Sequence, residues 1–137
     1  QWGDFSNLDC SVINGVTNKY YPYPTVKEQL DDANSILNYY KKVLLLRNQN
    51  PEIARGSIEL IAKEKDERKM LFISKTYNGS KIGIIFNFSE YENLNIDYKS
   101  YGYSKVVGQA VIDSSYYVGE QRDGSIIVPP YSIVILK

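Results

Sequence analysis

Histidine is absent from all 137 residues, and cysteine occurs once, at Cys10. Without histidine, Ser-His-Asp and Cys-His arrangements and histidine-bearing zinc sites are excluded from the chain. A lone cysteine cannot staple the fold internally and leaves the redox compartment open; as a nucleophile it would need a base that this sequence does not supply. Charge of one sign is also missing. Sixteen basic and 16 acidic residues cancel, so there is no electrostatic case for nucleic acid or an anionic membrane as partner. The longest apolar runs, around Val43–Leu46 and Ile84–Phe86, fall far short of the ~18 residues of a membrane span. No CxxC pair, glycine-rich phosphate loop or EF-hand spacing occurs, and neither a metal nor a cofactor is expected. The sequence opens at Gln1-Trp2 without an initiating methionine or signal peptide, so a piece cut from something longer is expected, with a secreted and a cytoplasmic location both open.

What is present is a helix with a clear stop. In Ser35–Gly56, SILNYYKKVLLLRNQNPEIARG, Ser35 can cap a helix start by accepting from an unpaired backbone N–H. Asp31 and Asp32 place negative charge near the positive end of the helix dipole, and Arg47 places positive charge near the other end. Ile36, Leu37, Tyr40, Val43, Leu44 and Arg47 recur at three- and four-residue steps, which predicts a one-sided, core-facing stripe. Asn50-Pro51 ends the helix at about residue 49, and Gly56 supplies a turn.

From Gly56 onward the signal is β. Met70–Tyr77 and Lys81–Phe88 are apolar, β-branched and aromatic runs joined by Asn78-Gly79-Ser80, which predicts a hairpin. Weaker strands are expected at about Leu94–Tyr98, Lys105–Ile112, Tyr116–Val118, Ser125–Val128 and Tyr131–Leu136, with turns at Asp123-Gly124 and Pro129-Pro130. Only a short helix at Val26–Leu30 is expected before the main one. These short strands with closely spaced turns predict a mainly β, antiparallel Greek-key sandwich preceded by one helix.

Two carboxylates alone would suffice for glycoside hydrolysis, but the acids here do not look poised. Glu64, Asp66 and Glu67 belong to a lysine-mixed run, and Glu90 and Glu92 flank a tyrosine in a loop; surface roles are expected. Thirteen tyrosines invite a sugar-stacking reading, with Tyr101, Tyr103, Tyr20, Tyr21 and Tyr23 as the best exposed candidates. Packing within the sheets is the competing role.

The ordered combination of these features resembles the alpha-amylase family of glycoside hydrolases. Gln1-Trp2 looks like the end of the family's Met-Gln-Trp segment after the eighth barrel strand. Gln29 resembles its pre-helix element, Ser35–Leu46 with Arg47, Asn50-Pro51 and Gly56 is the densest match, and Ile84–Ser89 and Pro130-Tyr131-Ser132 look like strands of its C-terminal domain. The resemblance implies that residues 1–50 are the end of a (β/α)8 barrel, with the helix as its last, and that 51–137 form the C-terminal β-sandwich. It further implies that Gln1, Trp2 and Asp4 border the sugar-binding cleft. After Trp2 the chain departs from the family pattern, reading Gly-Asp-Phe-Ser-Asn where a longer loop is usual, which touches substrate preference. The family's catalytic aspartates and glutamate lie on earlier strands, so no catalytic residue is expected here. The partners implied are the barrel domain, an α-glucan reached through it, and, for the severed piece, a homodimer. A glucan-binding module and a stand-alone protein-interaction domain are the alternatives.

Overall fold

The computed structural model describes residues 24–63, 69–113, 115, 118–120 and 124–137. Helix α1 (Val26–Asp31) starts at Thr25, whose hydroxyl accepts from the Glu28 amide while the Glu28 carboxylate accepts from the Thr25 amide at 2.7 Å. This reciprocal cap satisfies two amides that the first turn leaves unpaired. Helix α2 (Ile36–Gln49) starts at Ser35, whose Oγ accepts from the Asn38 amide at 3.2 Å. It ends at Asn50, as the proline signal predicts. Pro51, however, opens a further helix, α3 (Pro51–Arg55). Proline at a first helical position forfeits no hydrogen bond and arrives with φ already set, so the same residue that stops α2 starts α3.

Among the described residues eight strands follow: β1 (Ser57–Lys63), β2 (Met70–Tyr77), β3 (Ser80–Asn87), β4 (Leu94–Asp97), β5 (Val106–Val111), β6 (Gly119–Glu120), β7 (Ser125–Val128) and β8 (Ser132–Leu136). Residues 116 and 117 of the expected Tyr116–Val118 strand lie outside the described residues, and β6 pairs just beyond them. All pairings are antiparallel, in sheets ordered β1-β2-β3-β8-β5 and β4-β7-β6. After β3 the chain passes to the smaller sheet for β4, returns to the larger for β5, crosses again for the β6–β7 pair and comes back as β8 between β3 and β5. The β2–β3 hairpin turns on Asn78 (φ 49°) and Gly79 (φ 78°), the paired positive φ values that suit the twist of the strands.

The two sheets enclose one core. Phe72, Ile85, Val134 and Leu136 of the larger sheet meet Leu94, Ile126 and Val128 of the smaller. A second cluster covers the outer face of the larger sheet, where Leu46 of α2 packs with Ile73, Ile82, Ile84, Ala110 and Ile135. Gly108 makes this approach close. A Cβ there would stand 2.5 Å from a terminal methyl of Leu46, inside any van der Waals contact.

Candidate functional site

Gln1, Trp2 and Asp4 lie outside the described residues, as do Tyr20, Tyr21, Tyr23 and the acids Glu64, Asp66 and Glu67. Glu90 and Glu92 are exposed, and Glu92 pairs with Lys69 at 2.9 Å. Among the described residues, no group of three or more acids or cysteines is placed to hold a metal ion. The sugar-stacking reading fails at Tyr103, which is buried. Its ring lies so close over Gly83 that a Cβ there would meet Tyr103 Cζ at 2.7 Å. Burial pushes its phenol above the ordinary value. Tyr101 is 45% exposed, as the sequence reading expected, with its ring edge-on to Phe72 at 5.1 Å. Gly83 supplied the hidden reason: a glycine in the hairpin leaves a slot that a ring from a distant turn can fill.

Sequence reasoning missed Glu52, a carboxylate only 3% exposed. Its Oε1 accepts from Ser80 Oγ at 2.6 Å and stands 3.5 Å from Lys137 Nζ, while Oε2 has no partner. The Ser80 hydrogen bond, helped by a backbone amide and Lys137, outweighs burial and holds this carboxyl below the ordinary carboxylate range. The residue binds α3 to the β2–β3 turn and the end of β8. Neighbouring contacts act in the same direction: Lys75 Nζ donates to the Ile53 carbonyl at 2.6 Å, and the Arg55 guanidinium lies 5.9 Å from the Tyr77 ring centre. The passage from helix to sandwich is a braced elbow.

A lowered folded pKa means that Glu52 contributes its stability above the unfolded value of about 4.3 and loses it as pH falls through the folded value. Glu52→Gln is expected to lower stability at neutral pH and to flatten the acid limb below about pH 4.3. Urea midpoints measured across that range check this; parallel curves for the two proteins would contradict it.

Helix α2 carries two apolar faces. Tyr39, Val43 and Leu46 pack on the sandwich. Ile36, Tyr40 and Leu44, one step round the helix, are 62%, 63% and 50% exposed. This corrects the stripe read from sequence: of Ile36, Leu37, Tyr40, Val43, Leu44 and Arg47, Val43 is the member that packs in the outer-face cluster. The helix is turned because Gly108 receives Leu46. Nor is the exposed face a frayed one. Ser35 Oγ donates to the Gln29 carbonyl at 2.6 Å, Gln29 Oε1 accepts from the Leu37 amide at 3.1 Å, and Asn38 Nδ2 donates to the Gln29 and Asp32 carbonyls. These bonds fix α1 against α2. Beyond the helix, the edge strand β1 also exposes Ile58 and Leu60, paired opposite Lys75 and Ile73. Apolar side chains left exposed in an ordered frame are the kind of surface that interfaces use.

No family model matches the chain. It is 33% identical over 92 residues to an oligo-1,6-glucosidase of Parageobacillus thermoglucosidasius, a match covering 66% of this chain and 16% of that protein. Its fold superposes on Eubacterium rectale Amy13B with TM-score 0.80 and 28% identity, covering 99% of this chain and 26% of the other. An alpha-amylase from H. orenii shares the fold with TM-score 0.58 at 17% identity, over 89% of this chain and 22% of that one. The chain therefore spans about a sixth to a quarter of the length of these proteins. Sequence and fold together place it in the alpha-amylase family of glycoside hydrolases, as the C-terminal part of such an enzyme.

Proposed function

We propose that this chain is the non-catalytic structural end of an enzyme that cleaves α-glucans, and that its helix α2 is seated between that enzyme's barrel domain and the sandwich. The observation that carries this reading is the second apolar face of α2. One face, through Leu46, closes the outer sheet, while the other presents Ile36, Tyr40 and Leu44 in a rigid frame. A helix apolar on two sides belongs between two bodies. The boundary between barrel and sandwich is proposed at Asn50-Pro51, where α2 gives way to α3. Gln1, Trp2 and Asp4 are the residues proposed to border the sugar cleft of the assembled enzyme. Severed from the barrel, the same face of α2 would find its cover in a second copy of the chain.

The catalytic acid pair belongs to the missing part in this proposal. The purified 137-residue chain is expected to release no sugar from starch, maltose or isomaltose above a blank, measured as reducing ends over a long incubation. Turnover that survives removal of contaminating amylase would overturn the assignment.

A further inference from the structure

The elbow rests on the tip of the β2–β3 hairpin. Ser80 Oγ donates to Glu52 Oε1 at 2.6 Å, and the Arg55 guanidinium stands over the Tyr77 ring. Gly56 passes so close that a Cβ there would meet the Thr76 amide nitrogen and carbonyl oxygen at 3.0 Å. Thr76, Tyr77 and Ser80 flank the two residues of the turn, Asn78 and Gly79, and Tyr77 pairs directly with Ser80. A change in the length of that turn therefore reaches the elbow.

Among the described residues, Asn78 is the one asparagine followed by glycine; a second Asn-Gly pair, Asn14-Gly15, lies outside them. The side-chain amide of asparagine is an electrophile, and the backbone nitrogen of the next residue attacks its Cγ when nothing shields it. Both residues here are exposed, and Gly79 has open space where a Cβ would stand. Its amide takes part in no backbone hydrogen bond among the described residues. What delays the attack is the turn itself. Asn78 at φ 49° and Gly79 at φ 78° hold the left-handed pair that suits the hairpin. Ring closure requires the Asn78 carbonyl to rotate out of that pair and bring the Gly79 nitrogen round to the side chain.

We propose that Asn78 is a self-modification site, at which cyclisation with Gly79 followed by hydrolysis yields an isoaspartyl residue that loosens the elbow. The Gly79 nitrogen bonds to Asn78 Cγ as the bond from Cγ to the side-chain nitrogen breaks. That nitrogen leaves as ammonia and carries off the Gly79 amide proton. Water then opens the succinimide at one of its two carbonyls, and no oxidant or reductant enters. Opening at the side-chain carbonyl leaves aspartate, which tolerates the left-handed region and keeps the turn. Opening at the backbone carbonyl leaves the chain running through Cγ and frees an α-carboxylate. This second product adds a methylene to the main chain of a two-residue loop, so Tyr77 and Ser80 no longer meet in register. Glu52, whose Oε2 has no partner, then loses its Ser80 donor.

The test is ageing of the 137-residue chain in warm, mildly alkaline buffer, folded and in urea. Peptide mapping follows the mass, and an isoaspartyl methyltransferase with labelled S-adenosylmethionine marks the freed α-carboxylate. The peptide containing Asn78 is expected to exchange its amide nitrogen for oxygen and to accept methyl. In the folded chain this should run about tenfold more slowly than in urea, as suits a loop tip at the low-stability end of local opening. Asn78→Gly, which keeps a favoured Gly-Gly turn, should give neither signal there and should keep its stability on ageing. The separated isoaspartyl form is expected to have a lower urea midpoint than the fresh chain. The same change should cost a Ser80→Ala chain less, because the hydrogen bond is already gone. An Asn78 that reacts in urea and stays intact in the folded chain would overturn the site. Mass change without methyl acceptance would overturn the isoaspartyl route. An isoaspartyl form as stable as the fresh chain, or equally damaging in Ser80→Ala, would overturn the link to the elbow.

Discussion

Asn87→Ala is expected to be the most damaging single substitution in the chain, costing about 3–5 kcal/mol, because each buried polar group left unpaired costs about 1–3 kcal/mol. Asn87 is 1% exposed. Its two amide hydrogens serve three carbonyls, those of Glu92, Val128 and Pro129, at 2.8–2.9 Å, and its Oδ1 accepts from the Ser89 amide at 2.9 Å. Val128 ends β7 in the smaller sheet, Asn87 ends β3 in the larger, and Glu92 lies in the connection between them. One side chain thus ties the two sheets and their crossover together. Ser132 Oγ also donates to the Pro129 carbonyl, which covers part of the loss at that atom alone. Alanine would leave a cavity and take the donor from the buried Val128 carbonyl and from the half-buried Glu92 carbonyl. Asn87→Asp should be nearly as harmful, since a carboxylate presents lone pairs to three carbonyl oxygens. Chemical denaturation of the two variants checks the estimate; a loss below about 1 kcal/mol would mean that solvent reaches the knot.

The second large effect is expected to be larger in the enzyme than in the chain. Ile36, Tyr40 and Leu44 are 62%, 63% and 50% exposed, so the chain's own fold covers somewhat less than half of each. Replacing all three with serine removes that part, about 2–3 kcal/mol by area, and adds a few tenths of a kcal/mol in helix propensity. In the seating proposed for α2, the rest of each side chain is buried against the enzyme's barrel. At ~1.5–3 kcal/mol for full burial of one such residue, half of three amounts to about 3 kcal/mol. The same triple substitution should therefore cost the whole about 3 kcal/mol more than the part.

The elements whose signals are local could be read from the sequence. Asn78-Gly79 fixes its hairpin through two positive φ values, and Ser35 caps α2 through a neighbour three residues on; both need only nearby residues. The strands were legible because the nearly unbroken apolar runs of β3 and β8 reflect two covered faces. What the sequence hid depends on distant partners. Pro51 reads equally as a helix stop and a helix start, and Lys75 and Tyr77, which brace α3, lie on another strand. The rotation of α2 was hidden because Tyr39-Val43-Leu46 and Ile36-Tyr40-Leu44 are both apolar stripes; Gly108 decides between them from β5. Glu52 drew no reading from the sequence, since Ser80 and Lys137 reach it only after the hairpin and β8 are in place. Tyr103 looked exposed beside Gly102, and was buried by the slot at Gly83. Of the candidate site, the helix was found and its free face was misassigned.

The measurement that bears most directly on the seating of α2 is thermal unfolding of the Ile36→Ser/Tyr40→Ser/Leu44→Ser variant, made side by side in the 137-residue chain and in the enzyme that contains it, with sugar release followed in the second. The account predicts that the chain keeps its fold, with a midpoint lowered by about 10 degrees, and becomes more strictly monomeric, while the enzyme loses about 3 kcal/mol more than the chain and part of its activity. A chain that unfolds when these three side chains are removed, or an enzyme indifferent to their loss, would contradict it.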